Sequence, residues 1–561
     1  MSKNNSTPLF KRLWTLIRGI FVSETKWQAI GFLALLVFLA LFTTGITVGL
    51  SFINSNLITA LQTQNQTKFF ELLTYLIGGF ILATPFASLS RFVEERLGLL
   101  WRKWLSRDIL KKYFNQQSFY KINWYQGIDN PDQRIEEDIR TLTTSIITLF
   151  VVFINSALTL VMYTGILWSI TWHLIVGAIS YSLIGSLLTF LIGKRLIALN
   201  FIQLKKEGDY RYKLVNIRDN AESIAFYKAA KKEYTRTRQK LRDALANQRK
   251  IINVNFQLGP FVNFYNYLKP LIPLIIVAPA FLRGDIKDFG TVTLSAEAFV
   301  RVAEALSVLI QNFGVISTIA AVTTRLGSFT ETLEQTAEES SCYFPRIATV
   351  SYEERIEFEN VNIQTPTSAQ IIVSNLNLKH ENGGLLITGP SGKGKTSILR
   401  VLSGLWVFGE GKLTRPQPDD CLFIPQKPYL ILGSLRNQLL YASKHSGYSD
   451  NELEAILDEV NLHGLLKRLK GFDKVHDWTN LLSSGEQQQM GFARYLLRKP
   501  KFVFLDESTT AVDLPTEKML YDIVEKNSQA WISVGYREGI SSYHDRILTL
   551  KEKASYEISE I

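Results

Sequence analysis

Six long apolar stretches, at about 28–52, 70–92, 146–170, 172–199, 254–282 and 294–322, occupy most of the first three-fifths of this 561-residue chain. Each reaches the roughly 20 residues that an α-helix needs to cross a bilayer. In hydrocarbon no water is available to backbone N–H and C=O groups, so such stretches fold as helices that pair those groups internally. The sequence therefore predicts an all-α membrane domain with six transmembrane helices.

Charge orients that domain. A basic, helix-prone segment with Arg91, Arg96, Arg102, Lys103, Arg107, Lys111 and Lys112 follows the second span, and Lys194, Arg195, Lys205, Lys206, Arg211 and Lys213 follow or close the fourth. The first outer loop, SNLITALQTQNQTK, has a single Lys. The positive-inside rule places both termini and both long loops in the cytoplasm. The opening MSKNNSTPLFKRLWTLIRGIF has charges among its apolar residues and no small-residue cleavage site, so it reads as an amphipathic lead-in and not a signal peptide. The net charge of +11 lies largely beside the apolar runs, which points to a lipid surface and away from nucleic acid. Cys342 and Cys421 are the two cysteines; they lack metal-ligand spacing and form no disulfide framework.

After a polar, acidic linker, ETLEQTAEESS, short β-like runs alternate with helical patterns, the pattern of an α/β domain. The expected organisation is a cytoplasmic segment 1–27, a transmembrane domain 28–330, a linker 331–350 and a nucleotide-binding domain 351–561.

Within the last of these, LLITGPSGKGKTSILRVLSGLW places a strand, a glycine-rich turn and an amphipathic helix in order, and Gly389 to Thr396 fits GxxxxGK[ST]. In such a P-loop the backbone of Gly389, Pro390, Ser391, Gly392, Lys393 and Gly394 curls around phosphate oxygens. Lys395 reaches the β and γ phosphates, and the Thr396 hydroxyl, followed by Ser397, suits Mg²⁺. Downstream, KFVFLDES ends an apolar strand on Asp506 and Glu507. One carboxylate there suits a metal's water shell and the other an attacking water. In LLSSGEQQQMGFARYLL, Ser483, Ser484, Gly485 and Glu486 open a helix whose N-terminus suits an anion; an N-cap serine explains part of that pattern structurally.

Taken in order, GPSGKGKTS, the Gln426 of FIPQKP, LSSGE and FVFLDE resemble the nucleotide-binding domain of an ABC transporter. With six preceding spans, the chain resembles a half-transporter of exporter-like build. The segments IDNPDQRIEEDI (128–139), EGDYRYKLVNIRDNAESIAFY (207–227) and GSLRNQLLY (433–441) are similar to those of the peroxisomal-type, subfamily D, proteins and their bacterial relatives. The resemblance implies a homodimer that binds ATP and Mg²⁺, with Thr396, Gln426 and Asp506 around the metal and Glu507 as catalytic base. It also implies that Ser483–Glu486 of one copy completes the ATP site of the other, that Asp513 lies in the dimer-facing loop after the catalytic glutamate, and that Glu222 couples the two domains. As solute it offers a fatty acyl derivative, a cobalamin-like cofactor or a peptide, moved in either direction, in a membrane expected to be the bacterial inner membrane.

The chain departs from the family pattern at two positions. Thr365 stands where many ABC domains carry an aromatic that stacks on adenine, and Tyr536 stands in the slot of a histidine that donates near the γ-phosphate. A phenol donates one hydrogen bond but is longer and does not become a cation near neutral pH. Two readings follow: Tyr536 takes part in slowed hydrolysis, or it turns away and packs. A non-transporting ATP-sensing regulator or scaffold is the rival function.

Charges inside spans are costly and commonly line a cavity. Lys269 falls near the middle of the fifth span beside Pro270 and Pro273. Glu297, Arg301 and Glu304, at i, i+4 and i+7, share a face of the sixth. These four are candidates for a transport path; alternatively Lys269 snorkels and Arg301 only neutralises the two glutamates.

Overall fold

The computed structural model describes residues 8–125, 131–337, 345–351, 354–365, 370–445, 447–478 and 481–561. Parts of three predicted features lie outside the described residues: the start of the N-terminal segment, residues 128–130 of the IDNPDQRIEEDI segment, and most of the linker's acidic end with Cys342. The chain divides into a membrane unit, Met1–Lys112 with Asp129–Thr332, and a C-terminal unit, Tyr113–Ile128 with Leu333–Ile561.

The membrane unit is all helical. It contains α1 (Leu9–Val22), α2 (Lys26–Gln62), most of α3 (Gln66–Phe114), α5 (Ile139–Ile170), α6 (Trp172–Asp219), α7 (Ala221–Phe226), α8 (Ala230–Leu268), α9 (Leu271–Leu282), α10 (Phe289–Leu306) and α11 (Phe313–Ala337), while α4 (Ser118–Tyr125) falls in the C-terminal unit. Among the described residues five helical stretches are long and apolar enough to span a membrane: Lys26–Gln62, Gln66–Ile122, Pro131–Ile170, Trp172–Leu191 and Ala230–Leu282. The expected sixth stretch is helical but divided, with α10 ending at Leu306 and α11 starting at Phe313. Glu297, Arg301 and Glu304 dilute its apolar character, and turns fall at Ser307 and Asn312.

Elsewhere in this unit the helices run past the apolar stretches into the basic segments, giving rods of 49 residues for α3 and 48 for α6. Phe80, Ile81 and Leu82 on α3 are exposed, the side-chain chemistry that a lipid-facing helix requires. Tyr163, Leu167, Ala298, Phe299 and Val302 form the buried seam where α10 packs against α5, with Leu174 and Ala178 of α6. α1 buries Leu16 and Ile20, and its Arg12 makes a two-pronged ion pair with Glu331 at 2.7 and 3.0 Å. The fifth span breaks between α8 and α9 at Lys269–Pro270, where proline supplies no N–H to continue the ladder.

The C-terminal unit is α/β. Its strands are β1 (Ala348–Ser351), β2 (Ile356–Gln364), β3 (Ile371–His380), β4 (Gly383–Thr388), β5 (Gly409–Arg415), β6 (Cys421–Ile424), β7 (Phe502–Asp506), β8 (Ala530–Val534), β9 (Arg546–Leu550) and β10 (Tyr556–Glu560). A six-stranded sheet has the order β10-β9-β4-β8-β7-β6, parallel except for the edge hairpin β9/β10, and a four-stranded sheet has the order β1-β5-β2-β3. The near-continuous apolar runs of β4, β7 and β8 are what a parallel sheet covered on both faces requires. Tyr120 of α4 packs against the core cluster of this unit that contains Ile356, Leu385 and Ile532.

Candidate functional site

Strand register builds the site. Val534 pairs with Ile387 on one side and with Asp506 on the other, so β4, β8 and β7 end side by side. The P-loop, Gly535–Tyr536 and Asp506–Glu507 therefore leave the sheet at adjacent carboxyl ends, the edge where ligands bind in open α/β sheets.

β4 runs into the P-loop, and α12 (Lys395–Leu402) follows it, with α13 (Asp450–Glu459) further along the chain. Gly389 and Gly394 have φ of +134° and +96°, and a Cβ would meet Leu550 O at 2.5 Å and Ile372 Cγ2 at 2.0 Å respectively. Only glycine fits either place, and a turn of this kind at a helix N-terminus suits an anion. Lys395 is buried, and its ammonium donates to Gly389 O at 2.8 Å, Pro390 O at 3.1 Å and the Tyr536 hydroxyl at 2.7 Å. The same Nζ lies 3.9 Å from the centre of the Tyr536 ring. All three donors of the ammonium are thus engaged, and the phenol oxygen is the acceptor in the last of these contacts.

The Thr396 hydroxyl donates to Asp506 Oδ1 at 3.1 Å. Burial raises the Asp506 carboxyl above its ordinary range, opposed by the Thr396 hydrogen bond and by the charges of Arg400 and Lys395. Hard oxygens from Thr396 and Asp506, brought together at a phosphate-binding turn, fit Mg²⁺. Gln426 Nε2 donates to Glu507 Oε2 at 3.0 Å, so this amide lies at the catalytic candidate and retains its oxygen for a cation. Glu507 itself sits at φ +50°, a left-handed conformation that a non-glycine residue holds only when its surroundings impose it.

One surrounding residue was not singled out from the sequence. Gln488, buried on α14 (Ser484–Arg498), donates to Gln426 O at 3.1 Å, Glu507 O at 3.3 Å and Thr510 Oγ1 at 3.2 Å, and accepts from Ala511 N at 2.8 Å. It joins Gln426, the Asp506–Glu507 strand end and the following loop. The run Gln487–Gln489 was its only trace in the sequence. Arg537 adds to the same frame by donating to Thr510 O at 2.7 Å and pairing with the buried Glu517 at 3.4 Å.

The other predicted residues are placed as follows. Ser483 caps α14 in a reciprocal box: its hydroxyl accepts from Glu486 N, and Glu486 Oε2 accepts from Ser483 N at 2.8 Å. Gly485 packs close to Ala511 O, 2.9 Å from where a Cβ would stand. Ser483 and Ser484 are exposed, and among the described residues neither hydrogen-bonds to the P-loop of its own chain. Asp513 caps α15 (Leu514–Asn527) by accepting from Thr516 N, and hydrogen bonding to Thr516 lowers its pKa. Thr365 donates its backbone N–H to Gln370 O at 2.9 Å and accepts from Gln370 N through its hydroxyl at 3.1 Å. Glu222 is exposed on α7.

In the membrane unit the four charges form two pairs. Lys269 is buried and lies 3.6 Å from Glu304. Arg301 lies 3.9 Å from Glu297, which accepts the Ser51 hydroxyl at 2.8 Å. Arg301 therefore does not stand between two unpaired glutamates, because Glu304 belongs to Lys269.

Family models match in both units: ABC transporter transmembrane region 2 over residues 16–282, and ABC transporter over residues 373–510. An uncharacterized ABC transporter ATP-binding protein of Synechocystis is 37% identical across 97% of this chain and 84% of its own. The chain belongs to the ABC transporter family. ABC transporter D family member 2, chloroplastic, of Arabidopsis thaliana is 34% identical across 97% of this chain and 86% of its own, which places the transporter among D family members and their bacterial relatives. A bacterial Atm1-family ABC exporter with ATP bound matches in fold, with TM-score 0.74, 17% identity and 96% of each chain covered. The transporter has the exporter-type architecture and is an ATP-driven transport ATPase of a membrane.

Proposed function

We propose that this transporter is a half-transporter that works as a homodimer in a bacterial inner membrane, with both termini cytoplasmic. ATP binding and hydrolysis switch a solute cavity between the two sides. The observation that carries this reading is the grouping of Thr396 with Asp506 and of Gln426 with Glu507 at adjacent strand ends. The absence of any hydrogen bond between Ser483 or Ser484 and their own P-loop, among the described residues, supports a second copy as their partner.

In this scheme residues 351–561 form the nucleotide-binding domain, and Gly389–Ser397 cradle the triphosphate, with Lys395 at its β and γ groups. Thr396, Asp506 and Gln426 would hold Mg²⁺, which when bound neutralises charge on the phosphate oxygens. Glu507, fixed by Gln426 from one side and by Gln488 through its backbone, orients and deprotonates the attacking water. Tyr536 releases Lys395 to the phosphates and turns its own proton toward the γ group, a longer and weaker device than the family's imidazole. Turnover is therefore slow. Glu222 on α7 couples nucleotide state to the membrane domain, 28–330. Lys269, Glu297, Arg301 and Glu304 lie along the path of a fatty acyl derivative, a cobalamin-like cofactor or a peptide.

A second reading, an ATP-sensing membrane scaffold with little turnover, draws on the same Lys395–Tyr536 contact. Purified protein in lipid discs separates the two. Phosphate release abolished by Glu507→Gln and stimulated by a solute from a panel of acyl-CoAs, cobalamin and peptides is the expected result. Tight ATP binding without turnover in either form would leave only the scaffold.

A further inference from the structure

We propose that a polar cavity inside the membrane unit binds the oxyanion head group, carboxylate or phosphate, of an amphipathic solute; this rests on the transport reading above and narrows it. The cavity has a volume of ≈ 200 Å³ and is walled by α2, α5 and α10. Thr44 in its wall stands halfway along α2, a helix long and apolar enough to cross a membrane.

The lining offers donors that the protein leaves unspent. Thr44, Asn155, Thr159 and Arg301 face the cavity, and among the described residues none of them makes a hydrogen bond within the chain. Thr44 is only 9% exposed, so its hydroxyl has this cavity as its outlet. Thr47, by contrast, donates to the helix carbonyl of Thr43 at 2.8 Å. Arg301 has an ion-pair neighbour in Glu297, but at 3.9 Å the contact is beyond hydrogen-bonding distance. Glu297 does not line the cavity; it is engaged by Ser51, which also meets Tyr163 at 3.0 Å.

A guanidinium, an amide and two hydroxyls with free donors complement an oxyanion. A cation would meet Arg301, and an alkyl group would leave every donor unpaired. The volume lies below that of sites which enclose whole drug-sized ligands, so the cavity takes a head group and the rest of the solute lies outside it.

The test uses the full-length protein in discs of zwitterionic lipid, with laurate, dodecyl phosphate, dodecanol and dodecyltrimethylammonium as probes. Saturable binding is measured by equilibrium dialysis against empty discs. The anions are expected to bind at least about ten-fold tighter than dodecanol, a preference that Arg301→Gln and Asn155→Leu each remove and Arg301→Lys retains in part. Competition by added anionic phospholipid that depends on Arg301 supports the site and identifies lipid as the source of the head group. Equal binding of dodecanol or of the cation, or an anion preference that survives Arg301→Gln in a well-folded variant, overturns the proposal. Anion binding at Arg301 without ATP-driven movement into proteoliposomes removes the transport reading and leaves the site. ATP-driven movement of a solute with no dependence on Arg301 does the reverse.

Discussion

Replacing Tyr536 by Phe deletes one oxygen and keeps the ring over Lys395, which isolates the contact at 2.7 Å. A hydrogen bond to a charged group contributes roughly 1.5–3 kcal/mol. Tyr536 is 49% exposed, so water competes for the contact and about 1 kcal/mol is the appropriate magnitude. The bond exists in the resting site and must break before Lys395 turns to phosphate, so its loss favours the nucleotide complex. ATP affinity in Tyr536→Phe should rise about five-fold. Tyr536→Ala also loses the cation–π contact, about 0.5–1 kcal/mol at a partly exposed site, and should reach roughly ten- to thirty-fold. Turnover should move the other way in both variants, because the phenol proton that the proposed scheme directs to the γ-phosphate is gone. Tyr536→His should raise turnover, by up to roughly 10²-fold if the imidazole restores a well-placed donor. The assay is displacement of a fluorescent ATP analogue alongside phosphate release, both in lipid discs. Unchanged ATP affinity in Tyr536→Phe together with unchanged turnover in Tyr536→His would show that Tyr536 only packs, and the reasoning would be wrong.

Three further outcomes are expected. Glu507→Gln should lower phosphate release at least about 10²-fold while ATP binding persists, since in the proposed scheme the carboxylate acts on water and not on nucleotide affinity. Gln488→Leu strands the Ala511 N–H and neighbouring carbonyls, a loss of about 2 kcal/mol that should lower the melting temperature of the C-terminal unit by roughly 5 °C and reduce turnover with it. Burial lowers His380 and His544 from 6.5 to about 4. The unfolded chain then binds more protons than the folded one between those values. Stability contributed by the neutral imidazoles is complete above pH 6.5 and is lost as pH falls toward 4, at about 1.4 kcal/mol per pH unit for each histidine. Thermal melts across that window should show the slope, and His544→Gln should roughly halve it, leaving the His380 contribution.

Much was legible in the chain itself because it depends on local composition. Spans of 20 or more apolar residues have no soluble alternative, and a strand followed by GPSGKGKTS has only one compact way to turn. The apolar run FVFLD and its two carboxylates follow the same rule, for a parallel strand buried on both faces reads as a continuous hydrophobic run. What escaped reading were contacts between distant segments. Gln488 looked like one of three similar glutamines, and only the packing of α14 selects it as the residue that joins Gln426 to Glu507.

The sequence alone determined that this protein crosses a membrane, carries a P-loop domain and departs from its family at position 536. Only the tertiary structure decided what Tyr536 touches, which glutamate Lys269 takes and which donors around Arg301 stay unspent. The physical reason is range: helix formation and phosphate-binding turns follow from neighbours within a few residues. Lys395 and Tyr536, 141 positions apart, meet because β4 and β8 pair in register and end together.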